Sequence, residues 1–400
     1  MIGSTLLKKK NMTDKIKVEK SLHKLMTWME SNNYRAFDPF DGLSSWLNMF
    51  TFQNKKMKQL LIQGVRRAPF NIRPFIGIKP HTSTKGMGFL ASGYINLFRL
   101  YHQNDYKNKA RFALDWLIKH KSPYFRNFSW GNNFDYASRA FFLPKEYPTL
   151  VWTSLIGHAF MDAFDTLNDE RYLRVAISSC EYILNDQQYS QEKNGLCLSY
   201  LTGEMIRIHN SNLLGAGLLS RVYNATRNNK YKATAREAVL YSVSCQLENG
   251  AWYYGEENKY HWIDNWHTAY NLDSLYFYQL YTGDRSFEQQ LYKGLDFYVD
   301  NFFCKDGAPK YYFDRVYRYD IQSASQAIDT LVLFSDLNPK TFTLAIKVAL
   351  WTIENMQDRS GYFYLWKNRR VTNKTPTFYW GNATMFRALS NLLLKMEGIE

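Results

Sequence analysis

Short polar and aromatic clusters recur where amphipathic helices should begin: Trp152-Thr153, His209-Asn210-Ser211-Asn212, Asp264-Asn265-Trp266-His267, Asp320-Ile321-Gln322 with Gln326, and Tyr379-Trp380-Gly381-Asn382. The loop Trp130-Gly131-Asn132-Asn133-Phe134-Asp135 adds another. Asp and Asn are preferred helix caps, so Asp264 or Asp320 taken singly reads most simply as a cap. Capping needs one small polar residue per helix. It does not need two imidazoles, several amides and flanking indoles at the same depth. Gathered in one cup, these groups suit an oligosaccharide, whose apolar faces stack on rings while amides and acids bind its hydroxyls.

Two chemistries fit such a cup. Paired carboxylates about 6.5–9.5 Å apart would hydrolyse a glycosidic bond with inversion. Asp264 and Asp320 are the natural pair, with His209 and His267 placing the sugar; Asp135, Asp38 and Asp41 are further acids. Alternatively, a polyuronate lyase or C5-epimerase would take a proton beside a carboxylate with His or Tyr, and neutralise that carboxylate with Asn or Arg. His209, His267, Tyr270, Asn210 and Asn382, with Arg66, Arg67 or Arg73, could fill those roles. A non-catalytic glycan-binding scaffold is the third reading. Hydrolysis is the leading expectation.

The elements that must position these residues show a repeat. Four stretches open on a Gly-led turn, pass through an aromatic hairpin and end in a polar cluster: Gly195–His209, Gly250–Asp264, Gly307–Asp320 and Gly361–Tyr379. Their starts lie 55, 57 and 54 residues apart, a spacing that marks stacked or closed supersecondary units. Apolar spacing predicts helical pairs over 88–102 with 106–120, 149–167 with 170–187, 210–226 with 231–247, 267–282 with 286–301, and 323–334 with 339–356. A last helix over 382–396 has no downstream partner, and the first, over 16–32, is its natural mate. Small residues such as Gly215-Ala216-Gly217 near the first helix of a pair suit a crowded inner ring. The expectation is one all-α domain over 16–400, an (α/α)6 toroid with short β-hairpins at one face. An open solenoid competes less well, because no polar cap closes either end. Residues 33–86 read as irregular, with one short helix over 55–64. Residues 1–15 read as a disordered basic tail.

Composition narrows the partners. The chain has 400 residues, a net charge of +14 and 46% hydrophobic residues, enough for a large core. The positive balance favours an anionic partner, and an acidic oligosaccharide or lipid-linked glycan fits the cup. No RRM, helix-turn-helix or zinc-finger pattern supports nucleic acid. No HExxH, CxxC or Asp-rich magnesium motif appears, so neither metal nor cofactor is expected. Cys180, Cys197, Cys245 and Cys304 lack close pairing, which suits reduced thiols. With no signal-type apolar region and no spanning run, a cytoplasmic protein is expected, with peripheral association with polysaccharide-assembly machinery as a further possibility. His158 reads as a satisfied core residue.

Four segments carry a family resemblance: Phe37-Asp38-Pro39-Phe40-Asp41-Gly42-Leu43, Ala68-Pro69-Phe70-Asn71-Ile72-Arg73-Pro74, His209-Asn210-Ser211-Asn212-Leu213-Leu214 and Trp262-Ile263-Asp264-Asn265-Trp266-His267-Thr268. Over residues 33–390 the chain resembles helical-toroid proteins that occur with bacterial capsule, exopolysaccharide and O-antigen biosynthesis genes. Its layout is similar to six-hairpin glycosidases and to toroidal polysaccharide lyases and epimerases. The resemblance implies a carbohydrate in the funnel and leaves the reaction open, since one toroid hosts several chemistries.

Overall fold

Helix starts are set by short polar side chains. Ser83, Thr149, Asp264 and Asp320 each accept a backbone N–H from the first turn they precede. The computed structural model describes residues 2–138 and 141–399. Its helices are α1 (Ile2–Ser31), α2 (Lys55–Arg67), α3 (Thr84–Tyr101), α4 (Asn104–Lys119), α5 (Leu150–Leu167), α6 (Glu170–Glu181) and α7 (His209–Thr226). They continue with α8 (Asn229–Ser244), α9 (Asn265–Thr282), α10 (Glu288–Asn301), α11 (Ile321–Leu333), α12 (Pro339–Met356) and α13 (Thr384–Met396).

Helices α3, α5, α7, α9, α11 and α13 pack each on the next, and α13 returns to α3. Outside them lie α4, α6, α8, α10 and α12, each on its partner, and α1 on α13. This is the closed (α/α)6 toroid, with the first helix completing the last pair. The two rings differ as their positions demand. Inner α7 is buried on every side from His209 to Val222, whereas outer α4 buries only a stripe that includes Ala110, Leu114 and Leu117. Gly157 shows why the inner ring needs small residues: a Cβ there would sit 2.5 Å from Leu218 of the next inner helix.

The repeat glycines have a mechanical explanation. Gly250 has φ +91°, and a Cβ would lie 2.3 Å from the Lys293 carbonyl oxygen of α10. Gly195 and Gly361 meet α8 and α1 in the same way. Each hairpin therefore seats on the outer helix of the following pair and staples neighbouring units together. Short antiparallel strands follow these turns or sit nearby: β1 (Tyr136–Ala137) with β2 (Phe142–Leu143), β3 (Tyr189–Glu192) with β4 (Gly195–Leu198), and β5 (Tyr319–Asp320), β6 (Trp366–Lys367) and β7 (Thr372–Asn373) in one sheet.

Three expectations need correction. Residues 2–15 continue α1 instead of forming a loose tail; between Gly3 and Ser31 the sequence holds no Gly or Pro to break it. Helix α2 passes Gly64 to reach Arg67, because Val65 is buried and anchors the final turn. The last helix starts two residues late, since Gly381, at φ +121°, interrupts helical geometry before Thr384. The segment 33–83 is ordered by bridges from Ala36 to His81 and from Phe37 to Thr377. Among the described residues no helix is long and apolar enough to cross a membrane.

Candidate active site

A cavity of about 380 Å³ opens at the N-terminal ends of the inner helices. Trp152, Asn210, Asp264, Trp266, His267, Tyr270, Tyr379 and Trp380 line it, as the shared register of the polar clusters implied. Hairpin loops add Tyr254, Trp262, Tyr311 and Tyr312. The segment before α3 forms a further wall with Asp38, Phe40, Gln59, Gln63, Arg66 and Arg67.

The most pointed feature of this wall is an imidazole held by a carboxylate. Asp264 Oδ1 accepts the His267 backbone N–H at 3.1 Å, capping α9. Its Oδ2 accepts Trp262 Nε1–H at 2.9 Å and lies 2.7 Å from His267 Nδ1. The carboxylate makes Nδ1 the protonated nitrogen, which leaves Nε2 as the basic one. The ring is clamped between Tyr254 and Trp266, with centroids 4.4 and 4.8 Å away. A base oriented by a third group is the arrangement proton transfer requires.

Cations stand on the other walls. Arg66 Nη2 approaches Tyr311 Oη at 3.4 Å, and its guanidinium lies 4.7 Å from the Phe40 ring centroid. Burial opposes its charge, but Tyr311 and Asp320 outweigh burial and hold its pKa above the usual value. The Lys85 ammonium is sandwiched between the rings of Trp152 and Tyr379, at 3.6 and 3.7 Å from their centroids. Burial pulls Lys85 well below the ordinary lysine pKa, with Asp38 pulling back. Asp38 is pushed up, first by burial and then by Asp41. Its loop is held from behind: the buried Arg73 pairs with Asp41 at 2.7 Å and donates to the Asp38 carbonyl at 2.8 Å. Asp41 and Arg73 therefore position Asp38 and do not line the cavity.

Other sequence candidates serve the scaffold. His209 points away from the cavity, with Nε2 2.6 Å from Glu256 and Nδ1 3.2 Å from Ser242. Asn212 ties Leu198 N–H to the Ala238 carbonyl, and Asn382 ties Phe363 N–H to the Thr377 carbonyl; both pin hairpins. Trp130 is wholly buried and donates to the Leu117 carbonyl. Asp135 accepts the Lys145 N–H. Asp320 caps α11 and accepts Trp380 Nε1–H at 2.9 Å, so it acts behind the wall instead of on it. Gln322 donates to Tyr270 Oη, and Gln326 to Asp273. His158 is not satisfied: both ring nitrogens lack partners among the described residues, and burial lowers its pKa to about 3. It lines a second cavity, of about 480 Å³, toward the other end of the inner helices.

Lys85, Tyr254, Trp262, Tyr311 and Tyr312 escaped notice as site residues. Lys85 occupies the first turn of α3, so the register that singled out the later helix starts would have found it. The others sit within the Gly250 and Gly307 repeats. His209, Cys245 and Glu256 bring donor atoms within 4.8 Å of one another, close enough to hold a metal ion. Sequence spacing hid this grouping because the three come from different elements.

No family model matches the chain, and no curated protein matches it in sequence. Solved structures do match in fold. The cellobiose 2-epimerase of Bacillus thermoamylovorans superposes with a TM-score of 0.60 at 12% identity, over 80% of this chain and 90% of that one. The GH76 alpha-mannanase of Bacteroides thetaiotaomicron gives 0.57 at 14%, over 78% and 86%. A polysaccharide lyase gives 0.54 at 12%, over 78% and 91%. At these identities the likeness establishes the six-hairpin toroid and nothing finer.

Proposed function

We propose that this chain is a carbohydrate-active enzyme that removes the C5 proton beside the carboxylate of an acidic glycan. The outcome is either epimerisation, with a solvent-derived proton returned to the opposite face, or β-elimination, in which the C4–O bond breaks and its oxygen leaves protonated. The observation that carries this reading is His267, oriented through Nδ1 by Asp264 at 2.7 Å on a cavity wall. Among the described lining residues, Arg66, Arg67 and Lys259 stand against the Asp264 carboxylate, while burial shifts both Lys85 and Asp38 toward their neutral forms. A uronate carboxylate binds there favourably, and Arg66 would stabilise the charge that develops on it as the proton leaves. The rings of Trp152, Trp266, Tyr379 and Trp380 offer stacking faces for the sugar. The fold's solved neighbours include proteins named as an epimerase and a polysaccharide lyase, as well as glycoside hydrolases.

Hydrolysis by Asp264 and Asp320 is less well supported. Both Asp264 oxygens already accept hydrogen bonds, and Asp320 is not among the lining residues. The test is a matched panel of neutral and uronate-containing oligosaccharides followed by NMR. Turnover confined to uronates, giving either an inverted C5 or an unsaturated end, is expected. Equal turnover of neutral glycans, or new reducing ends without either change, would overturn the reading.

A further inference from the structure

Residues 42–104 contain no Asp or Glu, in a chain that has 36 of them. Within that stretch Lys55, Lys56 and Lys79 are exposed, whereas Lys58 and Arg73 are buried and Arg66 and Arg67 line the cavity. The same region carries unusual apolar exposure. Phe52 is 84% exposed, Phe75 78%, Met49 70%, Leu60 65% and Phe70 62%, with Trp46, Phe50 and Met57 close behind. Isolated exposed apolar residues need no explanation, but a concentration of aromatic rings does.

These residues belong to one packed unit. The 3-10 turn Trp46–Thr51 packs on α2. Trp46 and Phe50 meet edge to face, with centroids 6.2 Å apart. Ser45 Oγ donates to the Ile76 carbonyl at 2.9 Å, joining that turn to the loop bearing Phe75. Helix α2 turns Lys58, Ile62 and Val65 inward and leaves Lys56, Met57 and Leu60 on its outer face. The result is an apolar, ring-rich face beside the exposed Lys55, Lys56 and Lys79, with no acid in residues 42–104.

We infer that this face docks on an anionic lipid bilayer. Rings and aliphatic side chains enter the headgroup–acyl boundary, while the basic rim meets anionic headgroups. A second copy of the chain is a poor occupant, because it would set the same lysines, Lys56 and Lys79 among them, against their own like charge. Docking also orients the enzyme. The neighbouring face of α2 supplies Gln59, Gln63 and Arg66 to the cavity, so its mouth lies beside the membrane surface. On the functional reading above, the substrate is then an acidic glycan still attached to a lipid.

Docking is tested without any glycan, so its failure is distinct from failure of the proposed reaction. The full chain is sedimented with phosphatidylcholine vesicles, with and without phosphatidylglycerol, at low and high salt. Binding should require the anionic lipid and weaken with salt. The double substitution Phe52→Ser/Phe75→Ser should reduce it at least about tenfold. Lys56→Gln/Lys79→Gln should reduce it at low salt and flatten the salt dependence. Thermal melts confirm that the variants stay folded; both pairs are exposed. Absence of wild-type binding, or unchanged binding by the Phe double variant, overturns the inference. So does concentration-dependent dimerisation without vesicle binding, lost in that variant, which would make the face a self-association surface.

Discussion

Replacing Asp264 by Asn separates its two duties, as helix cap and as holder of His267. The variant keeps size and shape but exchanges one acceptor oxygen for an NH2 group. Asn caps helices as well as Asp, so the amide oxygen can stay on the His267 N–H at little cost. The NH2 then faces Trp262 Nε1–H and His267 Nδ1, which now meet Oδ2 at 2.9 and 2.7 Å. Trp262 is half-buried on the cavity wall, so losing this acceptor costs at most about 1 kcal/mol of stability. His267 relieves its own conflict by moving its proton to Nε2, and so presents a donor where the mechanism needs a base. The wrong tautomer should lower kcat by about 10⁴-fold. His267→Gln, which removes the base and leaves the cap, should fall at least as far. The assay is the initial rate of C5 inversion or unsaturated-product formation on a uronate oligosaccharide, alongside a thermal melt. A folded Asp264→Asn enzyme that keeps more than about a tenth of wild-type kcat would refute the dyad.

Three other outcomes follow from the same geometry. Burial pushes the Asp273 pKa to about 8, so between about pH 4 and pH 8 the folded chain holds a proton that the unfolded chain has released; stability is fullest below that window and falls as pH rises through it, and Asp273→Asn should flatten this slope by on the order of 1–5 kcal/mol in melts at pH 5 and pH 8. Gly250→Ala adds a Cβ 2.3 Å from the Lys293 oxygen at φ +91° and should cost about 3–5 kcal/mol, whereas Gly64→Ala, with nothing within 4 Å, should gain about 0.5–1 kcal/mol; equal melts would contradict the stapling role of the repeat glycines. Arg66→Gln should raise KM for an acidic substrate by about 10–100-fold, and an unchanged KM would remove Arg66 from substrate binding.

The ring was legible in the sequence because its signals are periodic and local. Capping Asp264 and Asp320, the Gly-led turns and the 3.6-residue apolar spacing each report on their own neighbourhood. Closure by α1 followed from the unpaired last helix. The direction of each polar side chain was not legible. Inner helices are buried on all sides, so periodicity cannot separate the cavity from the outer ring. His209 and Asn210 are adjacent, yet His209 turns to Ser242 of α8 while Asn210 lines the cavity. The exchange of roles between Asp264 and His267 was hidden for a related reason. A capping carboxylate has a second oxygen, and only coordinates reveal that it grips the imidazole three residues on. Lys85 was overlooked because a lone lysine at a helix start reads as solvated, whereas here two rings enclose it.

The fate of one hydrogen tests the central claim most directly. A uronate oligosaccharide carrying deuterium at C5 is incubated with the wild-type protein, and label released to water is measured by mass spectrometry. Removal of that hydrogen by His267 predicts release in step with turnover, whether the product is inverted or unsaturated, and none from His267→Gln. Turnover with the label fully retained at C5 would contradict it.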